Sequence, residues 1–188
     1  QRPAALPRAL RRGFALFVEE TIGVVGSYAR VESPHFSILL DEKQDGVLKD
    51  YLVDTLERPY ASMATQYGFK PMEKVRVEVL PDARTFHYVS TLSPRDIEVT
   101  GAVGLTKFNK LMILSPRALV YGYRWLDAVS HEYMHYLIIK LTANKAPIWF
   151  HEGLSKYEET TWRQGPSYLS PLYETLLARA LSARKLIG

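Results

Sequence analysis

His131 and His135 stand four residues apart, with Glu132 directly after the first. On an α-helix this spacing puts two imidazoles about 40° apart and one turn up the same face, within reach of a single ion. A catalytic zinc takes three protein ligands and keeps a fourth position for a water, whose pKa it lowers to about 7. Glu132, rotated by about 100° from His131, is then placed to take a proton from that water without ligating the ion. The pattern predicts His131 and His135 as ligands of Zn2+ and Glu132 as general base. With five histidines in 188 residues, about 0.01 such patterns are expected by chance. Between Asp127 and Lys140, Glu132 is the only charged residue, so the run reads as a helix whose polar groups turn inward rather than as a solvated surface. The plain alternative is a helix with two incidental, partly buried histidines.

A third ligand is expected downstream. Thr142-Ala143-Asn144-Lys145-Ala146-Pro147 reads as a short turn in which Asn144 closes the first helix and Pro147 opens the next. So short a turn makes the two helices antiparallel neighbours. The second helix, running from Ile148 to Glu159, carries Glu152, seventeen positions after His135 and the best candidate for the third ligand. His151 is turned about 100° from Glu152, which fits a supporting or solvent-facing role better than a share in the ion. Glu158 and Glu159 admit two readings: a carboxylate that hydrogen-bonds a zinc-bound histidine, or a solvated helix face.

Taken together, His131-Glu132-x-x-His135 and Trp149-Phe150-x-Glu152-Gly153-Leu154-x-x-Tyr157-x-Glu159 resemble the gluzincin metallopeptidases. The resemblance is closest to bacterial peptidase-MA-like domains and extends distantly to M1 aminopeptidases and thermolysin-like enzymes. It covers about residues 35 to 188, and its specific part is 126 to 159. It implies an α+β, zincin-like catalytic domain: a small mixed sheet followed by the antiparallel helix pair that carries the metal site. It further implies a peptide or protein substrate, a bacterial cell-envelope or extracytoplasmic setting, and Glu159 rather than Glu158 as the carboxylate behind a ligand histidine. His151 departs from the family's usual Asn, and the spacing from His135 to Glu152 is slightly short.

Thr100-Gly101-Ala102-Val103-Gly104 matches the Gly-Ala part of the family's substrate-pairing edge strand, which makes Gly101 and Ala102 candidate substrate contacts. The glutamate that anchors a substrate amino terminus in M1 enzymes is missing here, which argues against an aminopeptidase. The alternative is that these glycines only permit a tight turn or bulge. Tyr157, Tyr168 and Tyr173, with Arg163, are the candidates for donating to a developing oxyanion, a role worth on the order of 3 kcal/mol.

The rest of the chain bounds these readings. Its 188 residues and 47% hydrophobic content suit one globular domain. With no cysteine, disulfides and thiolate ligands are excluded, so zinc is left with His and carboxylate, as in catalytic sites. The net charge of +4 is dispersed; Arg8, Arg11 and Arg12 read as a solvated helix face, and nothing points to nucleic acid. No apolar run reaches the 18 or so residues of a membrane span. The ends at Gln1 and Gly188 read as those of a piece of a longer protein.

Apolar spacing predicts a helix over 4–20 within an N-terminal appendage, 1–30, ahead of a peptidase domain, 31–188. Within that domain the expected elements are a strand at 36–40, a helix from Asp45 to Tyr67 stopped by Gly68, a strand at 75–79 and a helix from Pro81 to about Ser90. A strand pair is expected in 97–114, with Ala102–Lys107 against Lys110–Leu114 turned at Asn109. His35 and His87 lack partners at metal spacing and read as ordinary residues. Against the peptidase reading stands a non-catalytic binding or scaffolding domain that keeps the metal site; a purely structural zinc is a third possibility.

Overall fold

Alternating valines at 75, 77 and 79 bury one face of a strand, and that strand is the middle of the molecule. The computed structural model describes residues 21–165 and 171–185, with Ala15, Val18, Glu19 and Leu169. Most of the helix expected over 4–20 lies outside the described residues, as does Tyr168. The fold is mixed α+β. Strands β1 (Ala29–Glu32), β2 (Phe36–Leu40), β3 (Val75–Leu80), β4 (Gly104–Lys107) and β5 (Lys110–Leu114) form one open mixed sheet in the order β1-β2-β3-β5-β4. The central β2, β3 and β5 are parallel, and β1 and β4 pair antiparallel at the two edges. The edge strand β1 begins at Ala29, so the sheet takes in residues expected to belong to the appendage.

Helix α1 (Lys49–Tyr67) makes the crossover between the parallel β2 and β3. It starts four residues later than expected. Asp41 caps a separate helical turn, Glu42–Asp45, a 3-10 turn follows at Gly46–Leu48, and Asp45 is drawn inward to Ser115 and Arg117. Gly68, at φ 64°, closes α1 as expected.

Between β3 and β4 lie α2 (Ala83–Ser90) and α3 (Pro94–Thr100). The latter corrects the strand pair expected from residue 97. Ser93 and Asp96 form a capping box with Pro94 in the first helical position, and this start signal overrides the β-branched Ile97 and Val99. Gly101 ends α3 at φ 63°. The β4–β5 hairpin is shorter than expected on its outer strand and turns on two residues, Phe108 (φ 55°) and Asn109 (φ 61°), the backbone that matches strand twist.

Two apolar clusters flank the sheet. On one face Phe36, Ile38, Val77, Leu111 and Ile113 pack against Leu52, Leu56 and Met63 of α1 and against Val129, Tyr133 and Leu137 of α4 (Trp125–Thr142). Fully burying such a side chain contributes roughly 2 kcal/mol, so tertiary packing rather than helix propensity holds α4 in place. On the other face a smaller cluster joins Leu80, Met112 and Leu114 to Phe86 and Val89 of α2. Helix α5 (Ile148–Glu158) packs on α4, and α6 (Pro171–Ser182) follows. Among the described residues no helix is long and apolar enough to cross a membrane.

Candidate metal centre

One side of α4 is committed to the core through Val129, Tyr133 and Leu137, which turns His131, Glu132 and His135 toward β4 and α5. The Nε2 atoms of the two histidines lie 3.0 Å apart. The turn that follows brings α5 back against α4, and Glu152 faces the pair: its Oε2 is 3.6 Å from His131 Nε2 and its Oε1 3.6 Å from His135 Nε2. Donors bound tetrahedrally at about 2.1 Å are separated by about 3.4 Å, so two nitrogens and a carboxylate that offers one oxygen to each of them are spaced closely enough to hold a zinc ion. Among the described residues this trio is the one group of His, Cys, Asp and Glu close enough to hold a metal. The histidine side chains are 19% and 12% exposed and Glu152 is 62% exposed, so the trio is walled on the α4 side and open on the other.

Partners on the remaining nitrogens set the orientation. Glu159 Oε2 lies 3.4 Å from His131 Nδ1, and Lys156 Nζ sits 2.5 Å from the other oxygen of the same carboxylate. This leaves Nε2 of His131 turned toward His135 and Glu152. His151 stacks on His135 with ring centroids 5.6 Å apart, its Nδ1 3.4 Å from His135 Nδ1; it lies beside the trio of His131, His135 and Glu152, not within it. Both Glu158 and Glu159 are buried, which removes the solvated-face reading for each. Glu158 accepts from Tyr67 Oη (2.6 Å) and Gln66 Nε2 (2.7 Å) and so ties α5 to α1.

Glu132 is 7% exposed and lies against the edge strand, where Thr106 Oγ1 is 2.7 Å from its Oε2. Burial pushes its carboxyl up to about 7, against the opposing pull of Thr106 and His131. Burial pulls His131 down, but Glu152, Glu159 and Glu132 outweigh it and raise the imidazole to about 9. His135 is lowered by burial and by the neighbouring His131 charge. Contact with His131 holds Glu152 below the usual carboxylate range; burial would raise Glu159, but His131 and Lys156 hold it low. His131 therefore carries the positive charge of the imidazole pair, amid the carboxylates of Glu132, Glu152 and Glu159.

These groups open into a cleft of about 930 Å³ between residues 101–106, α4 and the start of α5. Gly101 and Ala102 line it, as do Arg124, Asp127, Lys156 and His151. Tyr123 also lines the cleft, but its hydroxyl donates to the Leu114 carbonyl. Tyr157 is exposed and does not line the cleft, nor do Tyr173 and Arg163. Arg163 instead pairs with the buried Asp127, which also takes Arg124 Nε at 2.5 Å. Sequence reasoning missed Gly104, Thr106 and Asp127. Asp127 stands one turn before His131 on the same stripe of α4, a spacing visible in the sequence; Gly104 and Thr106 share one face of β4, but their meeting with Glu132 is a tertiary contact. Comparison of the chain with protein-family models, with curated proteins and with solved structures found no match.

Proposed function

We propose that this chain is a zinc-dependent peptidase domain of the gluzincin kind, acting on a peptide or protein substrate. The observation that carries the proposal is the convergence of His131, His135 and Glu152 at 3.0–3.6 Å beside a buried glutamate whose carboxyl is raised to about 7. Zinc held by the three would lower the pKa of a ligated water to about 7 and polarise a peptide carbonyl. Glu132, matched in pKa to that water, accepts its proton on the carboxylate and delivers it to the departing amine nitrogen. Glu159 fixes the ring and tautomer of His131 from behind. The cleft admits an extended chain alongside residues 101–106, and its open side, at Glu152, is where the scissile carbonyl approaches.

One observation favours a second reading, a metal-holding binding or scaffolding domain without turnover: of the expected oxyanion donors, Tyr157, Tyr173 and Arg163 do not line the cleft. Metal analysis combined with cleavage of a peptide library separates the two. The peptidase reading expects one zinc per chain and cleavage that Glu132→Gln abolishes while zinc is retained. A Glu132→Gln variant as active as the parent would sink the mechanism, and stoichiometric zinc without cleavage of any peptide would establish the second reading.

A further inference from the structure

The edge strand does more than border the cleft. Gly104 and Thr106 are two apart on β4, so they point to the same side, and that side meets Glu132. The Thr106 hydroxyl is 2.7 Å from Glu132 Oε2 and also 2.7 Å from the main-chain oxygen of Glu132. A single group within reach of both ends of one residue fixes the side chain relative to its own backbone. Such a bridge removes in advance rotamer freedom that a free glutamate side chain keeps.

Gly104 supplies the room. It has no positive φ, so backbone conformation does not call for glycine there. A Cβ on it would fall 2.7 Å from Glu132 Cγ, 2.7 Å from Oε1 and 3.0 Å from Cδ, closer than packed atoms approach. Glycine inside a strand marks the close approach of another group, and here that group is the carboxylate of the helix across the cleft.

We propose that Gly104 and Thr106 form a seat on the edge strand that holds the Glu132 carboxylate in its reactive orientation, acting as positioning residues through Glu132. The proposal rests on the reading of Glu132 as the proton acceptor. It assigns β4 a part in the chemistry that is separate from any pairing with substrate.

Three variants test it: Thr106→Val, nearly isosteric and without a donor; Thr106→Ser, which keeps the donor; and Gly104→Ala. Loss of a hydrogen bond to a carboxylate predicts a fall in kcat of about 30-fold for Thr106→Val, with KM held within about twofold. Thr106→Ser is expected to stay within about threefold of the parent, because its hydroxyl reaches the same atoms. Gly104→Ala, which evicts the carboxylate, is expected to lose about 100-fold in kcat at unchanged zinc content. Crystal structures of the zinc-free proteins give a readout apart from activity: the Glu132 carboxylate leaves the edge strand in Thr106→Val and Gly104→Ala and stays in Thr106→Ser. A carboxylate unmoved in both disruptive variants, or a serine variant as impaired as the valine one, overturns the seat. If the parent chain cleaves nothing while the carboxylate moves as described, the seat stands and the peptidase reading falls. Should Glu132→Gln abolish cleavage while Thr106→Val cleaves like the parent, the seat falls and the peptidase reading stands.

Discussion

Glu78 and Glu132 are buried on opposite sides of the sheet, and they are treated in opposite ways. Glu78, in the middle of β3, is fully enclosed and takes Lys110 Nζ at 2.6 Å and Arg76 Nε at 2.7 Å. Glu132, on α4, is almost as deeply enclosed but is met by the neutral hydroxyl of Thr106. Two cations hold Glu78 at the centre of a buried ion-pair network and leave it nothing to do. A hydroxyl orients a carboxylate without neutralising it, so burial is free to raise it to about 7, where giving and taking a proton are balanced. The partner, not the depth of burial, separates the two.

The widest gap between them is expected on substitution by glutamine. Glu132→Gln should lower turnover by about 10³-fold with little loss of stability, since glutamine keeps the shape and an acceptor for Thr106 while removing the buried acid. Glu78→Gln should do the reverse: turnover per folded molecule is kept, while the chain loses about 3 kcal/mol because Lys110 is left buried without its counter-ion. Peptide cleavage beside urea unfolding reads both, and a Glu78→Gln protein as stable as the parent would break the comparison.

The next effect concerns the ion. His131 must give up its proton before its Nε2 can ligate, and in the metal-free chain that proton is held up to about pH 9. The stability this protonation brings is complete below the ordinary value of 6.5 and lost as pH rises through about 9. Zinc affinity runs the other way: below about pH 9 it should fall by about tenfold per unit of acidification. Competition titrations with a chelating dye from pH 6 to 9 measure it, and a flat profile would remove His131 from the ligand set.

Adjacent residues Glu158 and Glu159 repeat the contrast on one helix. Glu159→Gln should weaken zinc binding by about 10- to 100-fold by loosening the orientation of His131. Glu158→Gln should leave zinc binding alone and cost about 1 kcal/mol of stability through its contacts with Tyr67 and Gln66. Equal losses of zinc affinity in the two variants would mean that α5 acts on the site only by its placement.

What is legible in the sequence follows from what covalent spacing alone determines. Within α4 the helix itself sets the relation of His131, Glu132 and His135, and a five-residue turn, 143–147, limits where Glu152 can return. Glu159 follows Glu152 by seven residues, about 20° short of two full turns, so it comes back to the same face; Tyr157, five residues on, is about 140° away and faces out. That angle follows from helical periodicity alone, and the family pattern obscures it. The Pro94–Thr100 helix is equally legible in Ser93-Pro94-x-Asp96, where the cap outweighs the β-branched residues that suggest a strand. The seat at Gly104 and Thr106 is not legible, because it depends on a contact across 26 residues, and a glycine in a strand looks the same whether it makes a bulge or makes room.

The smallest expected effect lies in the turn that sets the distance between α4 and α5. Ala143 and Asn144 both adopt left-handed backbone, at φ 50° and φ 58°, and their amides close α4 on the Ile139 carbonyl, that of Asn144 at 3.0 Å. Asparagine tolerates this conformation; alanine is strained by about 1 kcal/mol. At the equivalent positions ending α1 and α3 the chain uses Gly68 and Gly101. Ala143→Gly should therefore raise stability by about 0.5 kcal/mol, the relief of strain being partly offset by the greater freedom of glycine in the unfolded chain. Zinc content and cleavage should be unaffected, because Ala143 is exposed and does not line the cleft. The urea midpoint decides: a variant less stable than the parent would mean that the Ala143 methyl packs usefully in the turn, and that the spacing of His135 and Glu152 is held by side-chain contact as well as by backbone.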